Sequence, residues 1–330
     1  MIISKTPFRM SFFGGGTDMP SFFNENRGAV ISTTFDKYCY VNVRYLVPFM
    51  PYISELIYNK IERVNNINDI EHPLIRECMR FYDIHSIRLT YEGELPANTG
   101  LGASSSFAVG MINAFNTLKN IQTNKIKLSQ EAIHIERNIL QEAGGWQDQI
   151  AASFGGFNRI DFKNNNFKVS PINIDTDRKK LLNNNLMLFY TGVTRFSADI
   201  HKNVSYKDNS YLKEMLSIVD EAQNVIENKN IDLNEFGKLL NYSWKLKKFT
   251  NDKVSNNYID EIYNIGIKNG AIGGKLLGAG GGGFILFYIE PNNHQKIINA
   301  LNNLTYVPFN FENEGSTIIY NKIDTYIPRK

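Results

Sequence analysis

Residues 87–118 are written in the order that a phosphate site requires: strand, glycine-rich loop, helix. Ile87-Arg88-Leu89-Thr90-Tyr91-Glu92 alternates apolar and polar side chains with the period of a half-buried strand. Leu95-Pro96-Ala97-Asn98-Thr99-Gly100-Leu101-Gly102-Ala103-Ser104-Ser105-Ser106 comes next, and Phe107, Met111, Ile112, Phe115 and Leu118 then share one helical face. Glycines let backbone N–H groups approach an anion, and a helix opening there adds unpaired first-turn donors and the positive end of its dipole. The serines can cap that helix or ligate a magnesium ion on nucleotide phosphates. An ordinary loop with a capped helix has the same local pattern, so the rest of the chain has to decide. No Gly-Lys-Ser or Gly-Lys-Thr follows the glycines, which excludes a Walker-type loop.

A chain of 330 residues can bury a sizeable core and is long enough for two domains. Its formal charge of +3 is small, and lysines are interleaved with acids and asparagines, so no basic tract argues for nucleic acid. Cys39 and Cys78 have no metal-ligand spacing and fit a reducing compartment. Met1-Ile2-Ile3-Ser4-Lys5-Thr6-Pro7 lacks the pattern of a secretory signal, and no apolar run has the length of a bilayer span. The expectation is a cytoplasmic enzyme or binding protein without a membrane or nucleic-acid partner.

Strand patterns fall near Ser4 to Phe13, Ala29 to Val47 and Ile87 to Glu94, and helical ones near Ser104 to Lys119 and Ser129 to Glu142. A second strand-rich stretch runs from Phe157 through Ile174 to Leu186–Tyr190. From Ser197 to Asn269 the pattern is mainly helical, with Met215, Ile218, Val219, Ala222, Val225 and Ile226 on one face. Phe284 to Ile289 reads as a buried strand, Asn293 to Asn302 as a helix and Thr317 to Tyr320 as a last strand. The fold class is α+β, with a boundary between residues 175 and 195 that divides the chain into 1–180 and 181–330.

Glycines cluster twice more, at Gly14-Gly15-Gly16-Thr17-Asp18 and in the loop from Gly273 to Gly283. The latter contains G-x-G-x-x-G at Gly278, Gly280 and Gly283, but it runs into a strand instead of opening a helix, which argues against a dinucleotide fold. Glu136 falls amid Ala132, Ile133, Ile139 and Leu140 on the apolar face of its helix. A carboxylate there needs a cation, an ion-pair partner or a hydrogen-bond network, so a structural ion pair and a magnesium ligand are both open. Asp148 follows the flexible Gly144-Gly145 pair, either as a helix cap or as a base for a substrate hydroxyl. Arg9, near the end of the first strand, is the natural cationic complement of Asp148.

The three glycine loops, in this order and from Arg9 to Phe284, resemble the GHMP kinase superfamily. The second motif, Pro-x-x-x-Gly-Leu-Gly-Ser-Ser in the family, is present as Pro96 to Ser104 with Ala103 in place of the first serine. The resemblance implies a two-domain α+β kinase with its active site in the inter-domain cleft, residues 1–180 supplying the ATP loop and acids and 181–330 the helical layer and third motif. It implies an ATP-binding loop of Pro96, Gly100, Leu101, Gly102, Ala103, Ser104 and Ser105. It further implies Mg²⁺ on Ser104 and Glu136, with Asp148 catalytic and Arg9 on the transferring group.

Arg9-Met10-Ser11-Phe12-Phe13-Gly14-Gly15-Gly16-Thr17-Asp18 is similar to the sugar kinases acting on D-glycero-D-manno-heptose 7-phosphate and to fucokinase domains. Residues Gly145 to Gly156 and Tyr190 to Ser197 strengthen the heptose-phosphate resemblance. It implies transfer of the ATP γ-phosphoryl group to the anomeric hydroxyl of a phosphorylated sugar. Substrate contacts are then expected from Gly15, Gly16, Thr17 and Asp18, and from Gly280 and Gly281 of the third motif. Arg195 is the first candidate for the sugar phosphate, with Lys245, Lys247, Lys248 and Lys275 behind it. A kinase of a free sugar such as L-fucose and a non-catalytic sensor on the same scaffold are the rival expectations, and a homodimer is compatible with either.

Overall fold

A computed structural model describes residues 1–194, 210–250 and 253–322. Arg195 lies outside the described residues, as do Phe196 and Ser197.

The first layer is a nine-stranded sheet built around one long strand. Strand β1 (Ile2–Phe13) runs antiparallel to β2 (Gly28–Tyr45), from Ile2 opposite Val43 to Phe13 opposite Ile31. The short helix α1 (Pro20–Phe23) lies between them. A hairpin, β3 (Ser54–Ile57) and β4 (Ile61–Val64), and the helix α2 (Pro73–Phe81) lead to β5 (Ile87–Gly93). This strand pairs antiparallel with the C-terminal half of β2 and parallel with β3. Helix α3 (Ala103–Leu118) packs on β1, where a Cβ at Gly110 would stand 2.8 Å from Thr6 Oγ1. Ser4 Oγ donates to the Gly110 carbonyl at 2.8 Å, so the helix rests directly on the strand.

Helix α4 (Lys125–Ile133), a π-helical turn over His134–Ile139 and α5 (Gln147–Phe154) complete this side. Strands β6 (Phe157–Lys163) and β7 (Asn166–Pro171) follow, β6 pairing with the N-terminal half of β2. Phe107, Val109, Ile112 and Phe115 pack with Val41, Val43, Ile87 and Leu89 into one apolar cluster between helix and sheet.

The second layer begins after α6 (Thr176–Asn184) with β8 (Leu186–Tyr190). Helices α7 (Ser210–Glu227), α8 (Asn234–Thr250) and α9 (Asn257–Lys268) precede β9 (Ala271–Leu276) and β10 (Phe284–Ile289). After α10 (His294–Ala300), β11 (Thr305–Val307) closes a four-stranded antiparallel sheet in the order β11-β8-β10-β9. The chain then returns: β12 (Phe311–Glu312) pairs with β2, and β13 (Thr317–Asn321) pairs with β1 at the edge of the first sheet.

The last eight residues of β1 are all buried, because helices cover one side and the second layer covers the other. Phe8, Met10 and Phe12 share one apolar cluster with Met215, Val219 and Phe236 of the helices and with Leu286 and Tyr288 of the second sheet. That shared core fixes the two layers against each other and so sets the width of the cleft between them.

The α+β class and the main strands follow the sequence expectation. One correction concerns the third glycine cluster, of which residues 273–276 form the end of β9 and not a loop. A Cβ at Gly273 would stand 1.9 Å from the Gly237 carbonyl oxygen of α8, and one at Gly274 would stand 2.7 Å from the Leu286 carbonyl oxygen. Gly273 thus permits close packing of α8 on the strand, and Gly274 close approach of β10.

Candidate active site

Arg9 comes from the buried end of β1 and is itself only 5% exposed. Its backbone N–H donates to the Leu101 carbonyl at 3.1 Å, which ties the strand to the glycine loop. Its Nε and Nη2 both donate to the Asp148 carboxylate, at 2.8 and 2.7 Å, and Nη1 donates to the Gly100 carbonyl at 2.6 Å. This forked contact uses the planar geometry that lysine lacks. Asp148 lies in the first turn of α5 with its side chain about a quarter exposed, so the pair is open to the cleft at the carboxylate end.

Helix α3 opens on Gly102, whose φ of 75° is left-handed, and no side chain caps it. The capping role open to the serines is therefore not taken. Ser104 Oγ donates to Glu136 Oε1 at 3.1 Å and Ser105 Oγ to Oε2 at 2.8 Å, while Ser106 Oγ turns away to the Pro7 carbonyl at 3.0 Å. The first-turn N–H groups beside Ser104, which is exposed, face the cleft that Gly102, Ala103, Ser104 and Ser105 line.

Glu136 is 1% exposed and accepts a third hydrogen bond from Gln149 Nε2, at 2.6 Å. The sequence expectation of a regular helix to Glu142 is corrected here: α4 ends at Ile133 and continues as a π turn to Ile139. The wider turn rotates the register, so that Ile135 and Glu136 face inward while Ile139 is 37% exposed. Such turns recur where a side chain has to be re-aimed at a functional site.

Asp18 is buried and held from three sides. The Gly16 N–H donates to Oδ1 at 3.0 Å, the Gln147 N–H to Oδ2 at 3.3 Å, and the Trp146 N–H to its carbonyl at 3.2 Å. A Cβ at Gly145 would stand 1.8 Å from Asp18 Oδ2, so only glycine lets this loop close on the acid. Burial and then the nearby Asp148 carboxylate raise the Asp18 pKa above the ordinary carboxylate value, against the lowering effect of the two N–H donors. Thr17 does not reach the cleft. It is fully buried, and its Oγ1 lies 2.8 Å from the carbonyls of both Gly14 and Ala29, locking the turn that presents Asp18.

Pro96 is exposed and outside the cleft wall; its carbonyl accepts from Thr99 Oγ1 at 2.8 Å. The Leu101 side chain belongs to the core. Gly15, Gly16 and Asp18 line the cleft together with Gly100 and Gly280. Gly281 sits behind that wall, its N–H donating to the Val254 carbonyl at 2.9 Å.

The second layer contributes two lysines that ranked low in the sequence. Lys275 is 4% exposed and donates from Nζ to the Phe12 carbonyl at 2.8 Å. Burial, then the charges of Lys247 and Arg9, push its ammonium well below the ordinary lysine value. Lys247 donates to the Gly278 carbonyl, and burial with the Arg9 charge brings its pKa down to about 8. Lys247 and Lys275 thus stand near Arg9 in the lining of the cleft, and the like charges add to burial in lowering both lysines, while Arg9 is already paired with Asp148. Lys245 is exposed and Lys248 donates to Asp260 at 3.1 Å, so neither joins them.

Among the described residues no group of three or more His, Cys, Asp or Glu side chains forms a metal cluster, and no helix is long and apolar enough to cross a membrane.

Residues 70–156 match the model of the GHMP kinase N-terminal domain and residues 222–307 that of the GHMP kinase C-terminal domain. A D-glycero-alpha-D-manno-heptose 7-phosphate kinase of Campylobacter jejuni is 31% identical over 95% of this chain and 97% of that protein. The bifunctional fucokinase/GDP-fucose pyrophosphorylase of Arabidopsis thaliana is 23% identical over 88% of this chain, which spans 30% of that protein. A solved structure described as a D-glycero-D-manno-heptose 1-phosphate kinase, from Bacteroides thetaiotaomicron, superposes with a TM-score of 0.80 at 24% identity over 98% of this chain and all of the other, and so shows the fold. With matches in both halves of the chain and a relative of 31% identity over nearly its whole length, the chain belongs to the GHMP kinase family.

Proposed function

We propose that this chain is an ATP-dependent sugar kinase that phosphorylates the anomeric hydroxyl of D-glycero-D-manno-heptose 7-phosphate, giving the 1,7-bisphosphate. The observation that carries it is the forked Arg9–Asp148 pair, set between the glycine loop at Gly100 and the buried Asp18. Kinases of this family use ATP. Backbone N–H groups of Gly100 to Ser104 and the uncapped start of α3 bind its phosphates. Asp18, Gly15 and Gly16 hold the sugar, on a turn that the buried Thr17 locks. The fork from Arg9 fixes the Asp148 carboxylate in position to orient the anomeric hydroxyl and receive its proton as that oxygen bonds to the γ-phosphorus. Arg9, with Lys247 and Lys275 near it in the cleft lining, offsets the charge of the transferring group as the bond to the leaving ADP oxygen breaks.

Ser104 and Glu136 offer a hydroxyl and a carboxylate, the hard oxygen donors that Mg²⁺ takes together with phosphate and water oxygens. The fit is good: Glu136 is held for that purpose by donors on both oxygens, and Ser104 Oγ can turn its proton away and present a lone pair. Bound there, Mg²⁺ supplies charge neutralisation for the nucleotide phosphates.

Similarity to a named heptose 7-phosphate kinase supports the choice of acceptor, and similarity to a fucokinase keeps L-fucose as the alternative. ATP consumption with Mg²⁺ is measured on D-glycero-D-manno-heptose 7-phosphate, the free heptose, L-fucose and galactose, with the product position read by phosphorus NMR. A new anomeric phosphate formed only from the 7-phosphate is the expected result. Turnover of a free sugar in its place overturns the assignment.

A further inference from the structure

Two polar atoms in the cleft wall have no use in the scheme above. Ser11 is 8% exposed, and its Oγ is shielded from solvent with no hydrogen-bond partner among the described residues. Gln147 Oε1 is in the same condition. Both residues line the cleft. They also flank one point: a Cβ at Gly15 would stand 4.0 Å from Ser11 Oγ and 4.0 Å from Gln147 Nε2. Ser11 is two residues from Arg9 on β1 and so projects on the same side of the strand. Gln147 lies beside Asp148 in sequence, and its N–H already holds Asp18. The two lone groups therefore stand between the catalytic pair and the acid assigned to sugar hydroxyls.

A buried hydroxyl or amide oxygen without a partner is a cost to the free protein, which native folds avoid except where a ligand, an ion or water completes the site. One such atom is commonplace. Two side chains that carry such atoms, Ser11 by its Oγ and Gln147 by its amide, flank the bare Gly15 backbone beside the buried Asp18 carboxylate and make a surface rich in hydrogen-bonding capacity. That is the chemistry of a ring carrying several hydroxyls. We infer that Ser11 and Gln147 form the acceptor subsite that recognises ring hydroxyls other than the anomeric one, and that they set specificity among aldoses. The inference rests on the kinase reading given above and deepens it.

A hydroxyl-matched site rejects an analogue lacking that hydroxyl far more strongly than an apolar pocket rejects a missing methylene, because its own polar groups are left unpaired. The expected pattern is therefore paired. Ser11→Ala and Gln147→Met each weaken sugar binding by about tenfold or more, raise the sugar KM more than they lower kcat and leave the ATP KM in place. Neither lowers the melting temperature of the ligand-free protein, since neither atom has a partner to lose among the described residues. A structural role would show the reverse.

Titration calorimetry and steady-state kinetics are run on wild type and both variants with D-glycero-D-manno-heptose 7-phosphate and its 2-, 3- and 4-deoxy analogues, and with L-fucose and galactose. Support comes if the loss in each variant disappears for one deoxy analogue, which names the hydroxyl it reads. Equal losses on every analogue, or affinities like wild type on every sugar that binds, overturn the subsite and leave the substrate reading standing. If wild type takes a free sugar and not the heptose phosphate, the substrate reading fails and the subsite is judged on the sugar that binds. A wild type that binds none of these sugars overturns both.

Discussion

Gly278 sits directly on Gly100: a methyl group on Gly278 would stand 2.2 Å from the Gly100 Cα, and one on Gly100 would stand 2.5 Å from the Leu277 carbonyl oxygen. Both have left-handed backbones, with φ of 71° and 84°. Two motifs from opposite halves of the chain thus meet as bare backbone, and the glycine loop at Gly100 is shaped from both sides at once.

Gly278→Ala should therefore lower the melting temperature and raise the ATP KM together, with strain alone of order 1–3 kcal/mol. Gly192 is the control, since it has a φ of 78° but nothing among the described residues within 4 Å of its would-be Cβ. Thermal melts and ATP kinetics on both variants decide: equal shifts for the two, with the ATP KM unmoved, would show that the contact has no part in nucleotide binding.

Asp148→Asn keeps the size of the side chain but removes the charge and the base. Turnover should fall by roughly 10²–10⁴-fold with little change in the ATP KM. Arg9→Lys keeps a cation but loses the fork, so a smaller fall in kcat is expected. Asp148→Asn turning over at the wild-type rate would remove that residue from the chemistry.

Glu136→Gln preserves volume while exchanging one acceptor oxygen for a donor that meets a serine hydroxyl or the Gln149 amide. The Mg²⁺ concentration for half-maximal activity should rise at least tenfold, with a stability loss of about 1–3 kcal/mol from the mismatched network. Mg²⁺ titration of activity and urea unfolding without metal separate the two effects. A stability loss with an unchanged Mg²⁺ requirement would assign Glu136 to structure alone.

Lys247 loses its proton near pH 8 when folded, whereas the unfolded chain holds it to about 10.5. Between those values the unfolded state binds more protons, so this group makes stability rise with pH across the window and is a burden on the fold below it. Phosphate binding has the opposite sign, because ATP prefers the charged lysine. In wild type the ATP KM should rise as pH passes about 8. In Lys247→Met that rise, and part of the stability slope from pH 8 to 10, should be gone. A KM profile identical in the two proteins would place the lysine away from the phosphates.

Periodicity made α3, the ends of β1 and β2 and the burial of Glu136 legible in the sequence, because each is a local pattern of apolar spacing. The π turn was not, since it changes the register without changing composition, and Ile139 looked like a core residue only under a regular helix. Strand β9 hid behind its glycines, which answer to contacts with α8 at Gly273 and with β10 at Gly274, neither of them local in sequence. In the sequence Lys275 stands as one of four lysines ranked behind Arg195. Its meaning depends on the Phe12 carbonyl and on Lys247 and Arg9, none of which is near it in sequence. Ser11 and Gln147 carried no signal, as an orphaned atom is defined by its surroundings.

Strand β13 lies against β1, with Asn321 opposite Ile2. Read in time, β1 leaves the ribosome long before β13 and has to wait for it. At ordinary rates of translation that interval is on the order of tens of seconds, during which the outer edge of β1 offers its backbone groups to any other extended chain. This enzyme is accordingly one whose yield in the cell should depend on chaperones that shield a nascent chain, and on the speed at which its message is read.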